Sequence, residues 1–151
     1  MTKPSSVPSK PYADDATNSI YELLFCDDIN FYKPDASALL AYPWNILFDP
    51  EPEQVDLEKI VFDDQMESRI KLLAYDAMRR HGLPIEEKEL LGVIVEVGLD
   101  EGLDILASYQ DGTARYINYT GKMILWDAPD KVSAEITAQI EDAQNEHKKL
   151  E

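Results

Sequence analysis

A chain of 151 residues with 44% apolar side chains has the size and composition of one ordinary folded domain. Its 30 acidic residues against 14 basic ones leave a formal charge of −16, which repels nucleic-acid phosphates and anionic lipid and excludes the basic footprint of a DNA or RNA reader. The single cysteine, Cys26, excludes an internal disulfide, and the longest uncharged run, Ala36 to Phe48, is too short to span a bilayer and is broken by Pro43.

In chain order, residues 1–16 hold Pro4, Pro8 and Pro11 among serines and lysines and read as a flexible tail, with one α+β domain over residues 17–151. The start of the chain carries no apolar core of a signal peptide, so a reducing cytoplasm is the expected setting. Asn18 is placed to cap a short helix over Ile20 to Phe25, and Asp35 another over Ala36 to Tyr42 that Pro43 ends. Trp44 to Phe48 reads as an edge strand or a packed loop. Asp49 to Glu67 then holds eight carboxylates against Lys59 alone, a net charge of −7.

The clearest helix follows. Asp64 stands where a capping residue belongs, and Met66, Ile70, Leu73, Ala77 and Met78 recur at helical spacing. Arg79, Arg80 and His81 suit the negative end of the helix dipole, and Gly82 and Pro84 end it. From Val93 to Asp127 the pattern becomes a four-stranded antiparallel meander, with turns at Gly98 to Gly102, at Asp111-Gly112 and at Thr120-Gly121. Pro129 and Asp130 open a last helix with apolar positions Val132, Ile136, Ile140, Ala143 and Leu150. The expected fold is therefore α+β, the meander packed against helices, with the Met66–His81 helix on its apolar face.

Two-residue loops at both hairpins fix the faces. Leu103, Ile105, Ala107, Tyr109, Ala114, Tyr116, Met123 and Leu125 should share the core face. Asp104, Leu106, Ser108, Arg115, Ile117, Tyr119, Ile124 and Trp126 should share the other, with Glu96 if the first strand keeps the same parity. Arginine beside an indole is a cation–π pair, and Trp, Tyr and Arg dominate binding hot spots. Glu96, Arg115, Tyr119 and Trp126 are therefore candidates for partner contact; their bland reading is a surface ion pair under a helix.

Motifs for chemistry are few. Asp28-Ile29-Asn30 begins like a calcium loop, but the glycine is missing and Leu39 stands where the bidentate glutamate belongs. His81 and His147 show no zinc spacing, and no serine sits in a nucleophile elbow. Gly98-Leu99-Asp100-Glu101-Gly102 lacks the lysine of a phosphate loop. No metal or cofactor is expected. The reading is a non-enzymatic interaction module, of inhibitor or immunity type, masking a basic protein partner that Glu51, Glu53 and Glu58 would steer. The alternative is a small metal-assisted enzyme using surface carboxylates.

Overall fold

The computed structural model describes residues 10–85 and 89–127. Among these residues, four helices and a four-stranded antiparallel sheet give an α+β arrangement, distributed over two compact units: residues 25–85 with 89, and residues 10–24 with 90–127. The expected C-terminal helix after Pro129 lies outside the described residues. Among them no helix is long and apolar enough to cross a membrane.

The unit of residues 25–89 is helical. After 3-10 turns at Ile29–Tyr32 and Ala38–Leu40 come α2 (Trp44–Leu47), α3 (Gln54–Val61) and α4 (Ser68–Arg80), numbered after α1 below. The expected helix over Ala36 to Tyr42 shrinks to the 3-10 turn. Its N-cap is Ser37 rather than Asp35, whose Oδ1 braces the start of the turn by accepting from the Ala38 N–H and the Ser37 hydroxyl at 2.9 Å each, which holds its carboxyl below the usual range. Trp44 to Phe48, expected as strand or loop, is helical over its first four residues.

Helix α3 falls inside the acidic stretch, where no helix was expected. Its buried residues Leu57, Ile60 and Val61 make an i, i+3, i+4 stripe. That stripe meets α4, which buries Ile70, Leu73, Ala74, Ala77 and Met78. Asp63 shapes the link between them by accepting from the Gln65 N–H, and α4 begins at Ser68, two residues after the expected start, with Glu67 rather than Asp64 at its N-cap. Gly82 at φ +67° ends α4, with the Leu83 N–H reaching back to the Met78 carbonyl. Arg79 and Arg80 do more than meet the helix dipole: both pair with buried Asp76, at 2.5 and 2.9 Å.

The other unit is built on α1 (Asp15–Leu23) and strands β1 (Gly92–Leu99), β2 (Gly102–Tyr109), β3 (Ala114–Ile117) and β4 (Met123–Trp126), in that spatial order. Helix α1 starts five residues before the expected one. Asp14 caps it, accepting from the Thr17 N–H and hydroxyl. Asn18 is buried instead, exchanging hydrogen bonds with the Tyr12 backbone at 2.7 and 2.9 Å. Tyr12, expected in the tail, is 6% exposed, and its hydroxyl donates to the Leu103 carbonyl. Residues 10–16 thus belong to the fold.

Both expected hairpins are present, each with a loop of three residues where two were expected. At the first, Tyr109 and Thr113 pair through the Tyr109 N–H and the Thr113 carbonyl. Asp111 Oδ1 accepts from the Thr113 N–H and hydroxyl, and Gly112 takes φ +90°. At the second, Asn118 plays the matching part for Thr120, and Gly121 takes φ +90°. Three-residue hairpin loops use a residue of positive φ before the second strand, and Gly112 and Gly121 supply it.

One extra residue turns a strand over. Ile105 faces Ile117, and Ala107 faces Arg115, so Arg115 and Ile117 join the face of Leu103, Ile105, Ala107 and Tyr109, while Ala114 and Tyr116 leave it. The second slip cancels the first, so Met123 and Leu125 keep their expected face. Glu96 faces Ile105 and lies on this first face too. Helix α1 covers it: Tyr21 donates to Glu96 at 3.3 Å, and the Tyr109 hydroxyl donates to the Leu24 carbonyl at 2.7 Å. Burial, then the nearby carboxylates, push the Tyr12 phenol up to about 12; burial and Glu96 push Tyr21 higher still.

Candidate functional site

The register decides the fate of the Arg115/Trp126 cluster. Arg115 stands on the first face and Trp126, opposite Ala114, on the second, so the two side chains do not share a face. Arg115 is 7% exposed. Its guanidinium donates to the carbonyls of Ala114 (2.9 Å) and Trp126 (3.3 Å) and pairs with Asp127. It is a structural tie between β3 and β4. Trp126 is half-buried against Ala114 with Leu90 and Val93. Glu96 sits two strands from Arg115 and accepts from Tyr21. Tyr119 is exposed in the second hairpin loop, where its N–H donates to Asp104. The structure therefore does not gather Glu96, Arg115, Tyr119 and Trp126 into one surface. The second face is the more open one, with Val95, Val97, Leu99 and Ile124 all exposed.

The acidic candidates run from the turn before α3 into the helix. Glu51 is exposed in the turn that Asp49 forms by accepting from its N–H, and Glu53 is exposed at the N-cap position. Glu58 is half-buried one helical turn further on, accepting from Gln54 Nε2 at 2.9 Å. Lys59, the one base of this stretch, is paired with Asp56 at 3.0 Å. Its charge is thus already matched, and the surplus of carboxylates stands.

Sequence reasoning missed the apolar part of this surface. Val55 on α3 and Phe62 at its C-cap, seven residues apart, are 55% and 59% exposed. Tyr42 lies beside the end of α3, its hydroxyl within bonding reach of the Lys59 carbonyl (3.4 Å) and Asp63 (3.2 Å); burial and the Asp63 carboxylate raise its pKa. The signal was present: a helix that buries Leu57, Ile60 and Val61 must turn Val55 and Phe62 away from its core.

Phe62 also borders a shallow notch, open to solvent, that Glu58, Tyr75, Met78, Pro84 and Ile85 help to line and that has room for about one water molecule. Among the described residues no group of three or more His, Cys, Asp or Glu side chains is placed to hold a metal ion. Comparison with known proteins adds no relative: no family model, no curated protein and no solved structure matches this chain.

Proposed function

We propose that this protein is a non-enzymatic interaction module of the inhibitor or immunity type, which masks a basic protein partner through the surface of α3. One observation carries the reading. Val55 on α3 and Phe62 at its C-terminal end are exposed within a stretch, Asp49 to Glu67, that carries a net charge of −7. An apolar anchor inside a charged rim is the anatomy of a protein interface. Exposed aromatics are expensive to leave in water, and carboxylates around them select a basic partner while turning away nucleic acid and anionic membrane. The anchor of the interface moves from Trp126, which packs against Ala114, to Phe62.

The test is comparative capture from extracts of the native cell at low and at high salt. The bait is the wild-type chain, the Glu51→Gln/Glu53→Gln/Glu58→Gln triple variant, or Phe62→Ser. The reading expects a basic protein retained by the wild type at low salt and lost from both variants. A partner retained equally by all three baits, or one that is acidic, overturns it.

A further inference from the structure

We infer that residues 130–151 form an amphipathic helix that packs on the open second face of the sheet. This surface belongs to the sheet's unit, not to that of α3, and does not rest on the proposed function. Strand pairing sets Val95, Leu106, Tyr116 and Ile124 side by side in one row across all four strands, on this face. Val93 and Trp126 stand in the row to one side of it, Val97 in the row to the other, with Leu99 beyond. Helix α1 covers the first face and leaves this one open. Val95, Val97, Leu99 and Ile124 are between 41% and 51% exposed, and Leu106, Tyr116 and Trp126 are half-buried. Asp104 lies on the same face, but it is already bonded, accepting from the Tyr119 N–H at 2.7 Å. An antiparallel sheet that turns one face to water carries polar side chains there; this one carries an apolar row from edge to edge, the mark of a covered face.

The chain itself supplies the cover. Strand β4 ends at Trp126, which stands on this face, and the ion pair of Asp127 with Arg115 pins the exit. Residues 128–151 therefore start at the edge of the patch. Pro129 suits the first turn of a helix. At helical spacing Val132, Ile136, Ile140, Ala143 and Leu150 then fall on one side, with Asp130, Lys131, Glu141 and Lys148 on the others. A rise of about 1.5 Å per residue makes that stripe about 27 Å long. Strands about 4.8 Å apart put β1 about 14 Å from β4, so the stripe is long enough to cross the whole sheet obliquely. Charge and connectivity favour this occupant over a second copy. Two chains of −16 each repel one another, whereas a segment tethered at the end of β4 meets the face at an effective concentration on the order of millimolar.

The experiment is NMR of the full chain in two samples. In one, each chain carries labelled Ile and Val methyl groups; the other is an equal mixture of Ile-labelled and Val-labelled chains. In the first, the Ile136 and Ile140 methyls should show through-space cross-peaks to Val95 and Val97. In the mixture these should be absent, since the contact is within one chain. Amides 132–143 should exchange with solvent more slowly than those of an unstructured peptide. Ile136→Ser/Ile140→Ser should abolish the cross-peaks, speed that exchange and shift the Val95, Val97 and Ile124 methyl signals. Ile60, Val61 and Ile70, in the helical unit, should keep theirs. The wild-type cross-peaks decide by themselves, so the test survives a variant that fails to fold. Ile136 and Ile140 signals at unstructured positions with no cross-peak to the sheet overturn the inference. So do cross-peaks that appear in the mixture, which assign the face to a second copy, and sheet signals indifferent to the double substitution.

Discussion

Removing the Tyr12 side chain should cost this fold more than its place near the chain's start suggests. Tyr12 is 6% exposed, its ring meets Tyr21 edge-on at 6.0 Å, and its hydroxyl donates to the Leu103 carbonyl at 3.0 Å. Its backbone is clasped by Asn18. Truncating a buried aromatic to alanine costs about 3–5 kcal/mol through lost transfer energy and the cavity left behind. In a chain of this length each kcal/mol moves Tm by ~2–4 °C, so Tyr12→Ala should melt on the order of 10 °C lower. Tyr12→Phe removes only the hydrogen bond, about 1 kcal/mol, and should fall by a few degrees. The assay is thermal unfolding followed by far-UV circular dichroism. Deleting residues 1–16 should lower Tm at least as far as Tyr12→Ala. A Tyr12→Ala protein melting within 2 °C of the wild type would refute the docking of this segment.

Other consequences follow from the sheet. Gly112 takes φ +90° in the first hairpin, so Gly112→Val should destabilise the protein by about 1–3 kcal/mol, read as a lower urea midpoint at constant slope. Trp126 is only half-buried against Ala114, so Trp126→Ala should keep a cooperative melt and lose about 1–3 kcal/mol, less than a fully buried tryptophan. The alkaline limit should be set by Tyr12 and Tyr21. Their folded pKa values lie above the ordinary value of 10.0, at about 12 for Tyr12 and higher for Tyr21. Above pH 10 the unfolded chain therefore releases these protons first, and stability that is complete below pH 10 drains away as the pH rises through 12. Urea midpoints measured from pH 8 to 12 should fall over that window, and Tyr21→Phe should flatten the fall.

Much of the fold was legible because periodicity and turn chemistry agree. The stripe from Ile70 to Met78 gave α4, and Asp111-Gly112 gave the central hairpin. Register was not legible, because Asp-Gly and Thr-Gly fit a two-residue loop as well as the three-residue loops observed, in which Gly112 and Gly121 take the last position. That single residue separates Arg115 from Trp126. Helix α3 was hidden by the density of acids around it, although Leu57, Ile60 and Val61 carried the period. Tyr12 looked like tail because its neighbours are prolines and polar residues, while its contact with Leu103 spans 91 positions and leaves no local trace. Of the candidate site, the carboxylates Glu51, Glu53 and Glu58 were legible from charge alone. Their apolar companion Phe62 required knowing which side of α3 faces the core.

The most direct test of the account is the salt dependence of association with the basic protein that the capture recovers. Steering by exposed charge acts on the association rate and is screened over a Debye length of about 8 Å at physiological ionic strength. The wild-type rate should fall steeply as salt rises. The Glu51→Gln/Glu53→Gln/Glu58→Gln variant should associate more slowly at low salt with a flatter dependence, and Phe62→Ser should keep the wild-type slope while dissociating faster. A wild-type association rate indifferent to salt, or one that neutralising these three carboxylates leaves unchanged, would contradict the account.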